Sequence, residues 1–337
     1  MKKIVASVLL LVIVLGSAWF SRPSRDDSTL IQEAFAPVFD DTVQPLRALP
    51  PLPALPPERV LLGERLFTDT RLSADYSVAC VSCHRFDLGG ADGRRVSLGI
   101  NGAEGPINAP TVFNSSLNFV QFWDGRAANL QEQAAGPIHN ALEMGSSWAQ
   151  VLERLAADDS MRRDFAAAYP DGLTAANVAD AIASFEQSLL TVDAPFDRFL
   201  RGDRQAIGEL EIDGYHRFRD FGCISCHQGA LVGGNMFQKF GVLGDYFAGR
   251  PVSQADLGRY NVTGREEDRH VFKVPSLRNV ALTAPYFHDG SASSLETAVA
   301  VMGRYQLGRD LLPDDVTAIV AFLNSLTGQI PERASEQ

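Results

Sequence analysis

The chain has 337 residues, of which 45% are hydrophobic and 21% are charged, and its formal net charge is -11. The length suggests two domains or three small ones, and the apolar fraction is ordinary for globular proteins that bury a sizeable core. The acidic balance argues against nucleic acid as a partner, because proteins that bind nucleic acid present basic surfaces.

The first element, residues 1–23, is predicted to be an export segment. Two lysines precede an uncharged apolar run, residues 4–20. As a helix this run spans roughly 25 Å, slightly short of the ~30 Å hydrocarbon layer of a membrane. The segment is either a signal peptide cleaved after Ala18 or a signal anchor with Trp19 and Phe20 at the interface. Both alternatives predict a periplasmic protein, either free or anchored to the inner membrane.

Residues 24–57 are predicted to be a linker that ends in the proline-rich stretch "ALPPLPALPP". Such a stretch is expected to run extended, semi-rigid and solvated. The following sequence, "PERVLLGERLF", predicts a helix that begins near Pro57. The linker should therefore separate the export segment from the first folded unit.

The four cysteines all lie in two copies of one motif. Cys80 and Cys83 belong to "CVSCH", and Cys223 and Cys226 belong to "CISCH". C-x-x-C-H is the attachment motif of c-type haem, in which the thiols bond to the two vinyl groups of the porphyrin. A zinc site with four cysteines and a pair of disulfides are the alternatives. Zinc would leave the histidine after each motif unexplained and would join halves about 140 residues apart.

The histidine that ends each motif is expected to be the proximal ligand of a haem iron, because it follows the second thiol directly. These ligands are His84 and His227. Two such motifs behind an export segment predict two covalently attached c-type haems.

Further helices are predicted around the motifs. The glycine-rich stretch 88–110 predicts a loop, and "SWAQVLERLAADDSMRRDFAAAY" and "TAANVADAIASFEQSLL" each predict an amphipathic helix. Thr174 suits the N-cap of the second of these helices. "GELEIDGYHRFRDFGCISCH" predicts a helix that breaks at Gly222, and "PDDVTAIVAFLNSL" predicts a last helix that ends at Gly328. No stretch shows strong strand alternation.

Each haem motif thus has one helix before it and more helices after it, which is the plan of a cytochrome c domain. The predicted fold class is mainly α, with two cytochrome c-like domains that each carry one covalently attached haem. We place the domains at residues 58–203 and 204–330, followed by a tail, residues 331–337. Beyond the motif itself, the two halves do not read as close repeats.

Seven further strings occur in order around the motifs: "NAPTVFN", "QFWDGRAANLQEQAAGPI", "LEMG", "DAPFDRFL", "PSLRNVALTAPYFHDGS", "AVAVMG" and "VAFLNSLTG". With both motifs they resemble the bacterial di-haem cytochrome c peroxidases from about residue 56 to residue 328. The resemblance implies that the N-terminal haem meets hydrogen peroxide. The C-terminal haem would receive electrons from a small soluble donor, a cytochrome c or a cupredoxin. One H₂O₂, two electrons and two protons would yield two waters.

The resemblance implies roles for three residues in this reaction. Glu143 matches the acid–base glutamate, which can move a proton from one peroxide oxygen to the other. Gln133 matches an amide that shares the pocket and can hydrogen-bond the peroxide. Trp123 matches a tryptophan between the haems that can carry electrons. The alternatives are surface positions for Glu143 and Gln133 and a buried structural role for Trp123.

Two more residues match positions beside the haems. Met302 matches the sixth ligand of the C-terminal haem iron, where a thioether raises the reduction potential. The alternative is a core methionine on an amphipathic helix. Arg278 is assigned to a haem propionate through its fork of donors, and an Asp or Glu partner is an equal alternative.

A calcium ion is also implied by the resemblance. Asn108, Thr283 and Pro285 match positions that hold Ca²⁺ between the domains, and Ca²⁺ prefers oxygen ligands of these kinds. None of the three carries charge, so the binding would be modest. The alternative is an ordinary seam between domains.

The sixth position of the N-terminal haem is the departure from the family pattern. In many members a histidine in the loop after the first motif ligates that iron in the resting enzyme. Ile100 occupies the aligned position, and residues 96–110 contain no His, Met, Cys, Lys or Tyr. We therefore expect this position to be empty or held by water.

Two alternative functions stay open at this stage. Related enzymes that mature methylamine dehydrogenase oxidise tryptophans of another protein, but they carry a tyrosine where this chain has Met302. A di-haem electron carrier without catalysis is the other alternative. The sequence does not decide the oligomeric state, for which a homodimer is one option.

Overall fold

Twelve α-helices and one small sheet form the part of the chain that the computed structural model describes, residues 45–335. The mainly helical fold class predicted from the sequence is confirmed. In chain order the helices are α1 (Pro57–Phe67), α2 (Cys80–Cys83), α3 (Leu130–His139), α4 (Trp148–Ala156), α5 (Asp159–Ala168), α6 (Ala175–Gln187), α7 (Pro195–Leu200), α8 (Glu209–Asp220), α9 (Tyr260–Thr263), α10 (Leu295–Gln306), α11 (Pro313–Asn324) and α12 (Glu332–Ser335).

The sheet has only two short strands. β1 (Phe237–Lys239) pairs antiparallel with β2 (Val271–Lys273), and Phe237 lies opposite Lys273. Strands of three residues are too short to produce a clear alternation of polar and apolar residues, so the sequence did not indicate them.

Local signals set the helix starts that were predicted correctly. Pro57 occupies the first turn of α1, where its missing N–H costs nothing. The Thr174 hydroxyl accepts a hydrogen bond from the backbone N–H of Asn177 at 3.1 Å and caps α6. The single helix predicted over residues 147–169 is wrong, because Asp158 caps a new helix by accepting from the N–H of Ser160 at 2.8 Å.

The two halves share a crossing of helices that the sequence analysis missed. Gly63 of α1 lies against Ala181 of α6, and Gly214 of α8 lies against Ala318 of α11. In both places a Cβ on the glycine would fall on the carbonyl oxygen of the alanine. The helix before each haem motif can therefore approach the later helix closely only because it carries glycine there.

The same spacing places an aromatic ring near each motif histidine. Phe67 and Phe218 each follow their crossing glycine by four residues. Their ring centroids lie 6.4 Å from His84 and 6.3 Å from His227, respectively. The pattern G-x-x-x-F therefore recurs before both motifs, although the two halves are not close repeats otherwise.

Two hydrophobic clusters follow from these crossings. Apart from the chain ends, the first cluster draws its buried side chains from between Val60 and Leu189, and the second from between Phe196 and Leu326. The chain from Pro45 onward packs as one compact unit that contains both clusters. The domain limits at 203 and 204 stay a prediction, and Phe196 already packs in the second cluster.

The start of the described chain, residues 45–49, packs on the second cluster, and we call it the N-terminal strap. Leu46 is 1% exposed and belongs to that cluster. The backbone N–H of Gly229, just after the second haem motif, donates to the carbonyl of Pro45 at 2.8 Å. Leu49 is also buried, so the expectation of a solvated linker is wrong here, whereas residues 50–54 are exposed.

The C-terminal end of the described chain packs on the first cluster. Ala334 of α12 is buried in the first cluster. The predicted tail is therefore helical over Glu332–Ser335 and packs on the half of the protein that is distant in sequence.

Within residues 45–335 no helix is both long and apolar enough to cross a membrane. The predicted export segment, residues 1–23, lies outside the described residues.

Candidate active site

Both motif histidines are oriented by a backbone carbonyl. The Nδ1 atom of His84 lies 3.2 Å from the carbonyl oxygen of Gly90, and that of His227 lies 3.2 Å from the carbonyl oxygen of Val232. A carbonyl can only accept, so Nδ1 carries the proton and Nε2 keeps its lone pair for a metal. Burial lowers the pKa of His84 and lowers that of His227 to about 4. Both imidazoles are therefore neutral, as iron ligation requires.

The second motif opens into a large cavity. Its volume is about 550 Å³, within the range of pockets that bury small-molecule cofactors. Cys223, Cys226, His227 and Met302 all border it. The residues present therefore fit a covalently attached haem with a candidate ligand on α10. Met302 is partly buried and packs against an aromatic cluster formed by Phe240, Phe247 and Phe272.

Glu143 lies in the loop after α3 and close to the first motif. Its Oε1 accepts a hydrogen bond from the side-chain amide of Asn140 at 2.6 Å. Burial raises the pKa of Glu143, while Asn140 and the charge of Arg126 partly oppose this rise. Burial also raises the pKa of the Cys83 thiol, and Glu143 is near enough to contribute. The structure thus brings together the predicted acid–base group and the first haem motif.

Asn140 was not found from the sequence. An asparagine just after a helix is common, because its side chain bonds locally, so nothing marked this one as a partner of Glu143.

Gln133 and Trp123 have different surroundings. Gln133 is half-buried on α3, and in the described part of the chain its side-chain amide makes no hydrogen bond. Trp123 borders the second cavity, and its indole N–H donates to the carbonyl of Asn108 at 3.0 Å. An indole held in one orientation beside the second haem site is suited to the predicted electron transfer.

The loop after the first motif folds back onto Glu143. The backbone N–H of Ile100 donates to the carbonyl of Glu143 at 2.8 Å. A Cβ on Gly99 would fall on the carbonyl oxygen of Leu142, so glycine permits this approach. The side chain of Ile100 packs toward Gly145.

The three residues assigned to Ca²⁺ border the same cavity. Asn108, Thr283 and Pro285 all line it. The amide nitrogen of Asn108 donates to the carbonyl of Arg94 at 2.9 Å, which leaves Oδ1 as a ligand. The Thr283 hydroxyl donates to the carbonyl of Val280 at 3.2 Å and keeps its lone pairs. The oxygen atoms present are of the kind that Ca²⁺ binds.

Arg278 has the carboxylate partner that the sequence left open. It is 1% exposed, and its Nη1 lies 2.7 Å from Asp197, which is 0% exposed. Its Nε donates to the carbonyl of Ala230 at 2.8 Å, and Nη2 donates to that of Arg47 at 2.9 Å. The assignment to a haem propionate is corrected accordingly, because this fork of donors joins the N-terminal strap, α7 and the loop after the second motif.

Two C-x-x-C-H motifs, each behind a glycine-dependent helix crossing, define a di-haem c-type cytochrome. Residues 57–205 match the family model described as di-haem cytochrome c peroxidase. The chain belongs to the di-haem cytochrome c peroxidase family, and its cofactors are two c-type haems.

Curated relatives show the extent of the similarity. Cytochrome c551 peroxidase of Nitrosomonas europaea is 48% identical over 76% of this chain and 75% of its own length. Cytochrome c peroxidase Ccp of Escherichia coli is 50% identical over 76% of this chain but only 55% of its own length. The chain thus spans about half of the E. coli relative.

More distant relatives carry other names. Methylamine utilization protein MauG of Methylophilus methylotrophus is 33% identical over 74% of this chain and 77% of its own length. The crystal structure of a MauG-like protein associated with microbial copper homeostasis has a TM-score of 0.76 and 29% identity, covering 90% of this chain and 99% of that one. The two peroxidases described above are more similar to this chain than either of these proteins.

Proposed function

We propose that this protein reduces hydrogen peroxide to water with electrons from a small donor protein. The observation that carries the proposal is the half-buried Glu143 beside the first haem motif, with its raised pKa and its hydrogen bond from Asn140. An electron carrier would have no use for an ionisable carboxylate at that place. Met302 borders the second cavity at the position where the enzymes that oxidise a partner protein resemble this chain but carry a tyrosine, which favours a peroxidase.

The chain contributes proton handling and orientation to this reaction. When bound, the two haems store and deliver the electrons. The Glu143 carboxylate accepts a proton from one peroxide oxygen and returns it to the other, so that water can leave. The Gln133 amide has donors free to hydrogen-bond the peroxide, and Trp123 is the route for electrons between the haem sites.

Substitution of Glu143 tests the function. Glu143→Gln keeps the shape but removes the proton acceptor, so steady-state turnover of peroxide with reduced cytochrome c should fall by ~10²–10⁴-fold. The matched control is Glu104→Gln in the exposed loop nearby, which should keep wild-type turnover. Both variants should retain two haems by pyridine haemochrome assay. Wild-type protein with two haems but no peroxide turnover would contradict the proposal.

A calcium ion between the haem regions is part of the proposal. It is supported by the oxygen atoms of Asn108, Thr283 and Pro285 at one cavity. Asn108→Asp adds a charged ligand and should tighten Ca²⁺ binding, measured by calorimetry, whereas Asn108→Ala should weaken it. Equal affinity in wild type and both variants would remove Asn108 from the site.

We also place the protein in the periplasm. This location rests on the export segment, residues 1–23, and on the need of c-type haem proteins for thiols that are free to bond. Fractionation of expressing cells checks it, and a cytoplasmic pool carrying both haems would contradict it. The same cell fractions show whether the protein is released or anchored to the inner membrane. Its donor protein and its oligomeric state, for which a homodimer is one option, are determined on the protein purified from them.

A further inference from the structure

The wall of the second haem cavity contains a buried cation that has no partner in the described part of the chain. Lys273, at the end of β2, is 6% exposed and borders the cavity. Among the described residues, its ammonium group has no hydrogen bond or ion pair. Buried charges in proteins are normally paired, so the exception needs a reason.

The electrostatic surroundings agree with the geometry. Burial lowers the pKa of Lys273 to about 8, and no neighbouring carboxylate opposes that effect. The comparison with Arg278 is direct, since that equally buried cation lies 2.7 Å from Asp197. At neutral pH the ammonium group is therefore still mostly charged, and an anion that joined it would offset the cost of burying that charge.

A backbone hydrogen bond holds Lys273 next to Trp123. The N–H of Lys273 donates to the carbonyl of Trp123 at 2.8 Å, and the indole of Trp123 donates to Asn108. Asn118 borders the same cavity with a buried side-chain oxygen that has no hydrogen-bond partner. The cavity thus contains an unsatisfied polar oxygen at Asn118 as well as the apolar side chains that pack with Met302.

We propose that Lys273 binds a propionate of the second haem and raises the reduction potential of that haem. The inference rests on the haem assigned to this cavity. A c-type haem is held by its vinyl edge at Cys223 and Cys226, and its anionic groups are the two propionates. A nearby positive charge offsets the negative charge of a propionate and favours the ferrous state, because reduction adds an electron.

The midpoint potential of the second haem tests the proposal. Lys273→Met should change the reduction equilibrium about tenfold toward the ferric state. For one electron this change corresponds to a potential about 59 mV more negative. Lys273→Arg keeps the charge and should stay near the wild-type potential. Lys239→Met makes the same charge change at a lysine of the paired strand that also borders the cavity but is exposed, so solvent screens it and the potential should shift much less.

Two further readouts keep the test decisive. The propionate bending modes in the resonance Raman spectrum should change in Lys273→Met and not in Lys239→Met. If Lys273→Met fails to hold two haems, Lys273→Gln takes its place. Equal potentials for the Lys273→Met and Lys239→Met proteins, or unchanged propionate modes, would overturn the inference. Neither measurement involves peroxide, so failure of the peroxidase function would be seen separately.

Discussion

Glu143 is subject to two opposing effects on its ionisation. Burial favours the neutral acid and is the larger effect, whereas the Asn140 amide at 2.6 Å favours the carboxylate. A group that accepts a proton must first be ionised, so turnover is lost as the pH falls through its pKa. Asn140 therefore helps to set the pH range in which the proposed reaction runs.

We expect Asn140→Ala to move the acidic limb of peroxide turnover to higher pH. The variant loses a hydrogen bond to the charged form, so the pKa of Glu143 rises further. Measurement of kcat/KM from about pH 4 to about pH 8 checks this shift. In a Glu143→Gln background the same change should shift nothing, and a limb that moves there would belong to another group.

At the scale of the element, local chemistry explains what could be read from the sequence. The starts of α1 and α6 were predicted, because Pro57 and Thr174 act on their own helix. Contacts between residues far apart in sequence gave no local signal. The N-terminal strap meets Gly229, and Lys273 becomes unusual only because burial leaves its side chain unpaired.

The loop after the first haem motif is a second element with a testable property. It carries no iron ligand, so the first haem of the as-isolated ferric protein should give a high-spin EPR signal and react with peroxide before any reduction. Ile100→His should convert that signal to low spin and make turnover depend on prior reduction. Ile100→Leu, the control, should behave as wild type. Two low-spin signals in the wild-type protein would show that another side chain fills the position.

At the scale of the whole molecule, each chain end packs on the half that is remote in sequence. Leu46 belongs to the second cluster and Ala334 to the first. Each cluster therefore needs residues from both ends of the described chain. This exchange could not be predicted from the sequence, because linkers and tails rich in proline and polar residues normally stay outside a core.

Truncation of the Leu46 side chain in the N-terminal strap should destabilise the second half of the protein. Leu46→Ala creates a cavity at a fully buried site and should lower the free energy of unfolding by about 2–5 kcal/mol. Leu52→Ala, in the same extended segment but 51% exposed, should change it by less than about 0.5 kcal/mol. Urea unfolding of the holoprotein, followed by absorbance of the second haem, checks both values. Equal effects of the two substitutions would show that the strap contributes nothing.

The exchange of chain ends has a consequence for the order in which the protein is completed during synthesis. The strap is translated early, and its partner at Gly229 follows about 180 residues later. The last helix supplies Ala334 to a cluster whose other members are translated long before it. We therefore expect neither half to reach its final packing until the C-terminal residues are present, and a chain truncated before α12 should be more sensitive to protease in its N-terminal half than the full chain.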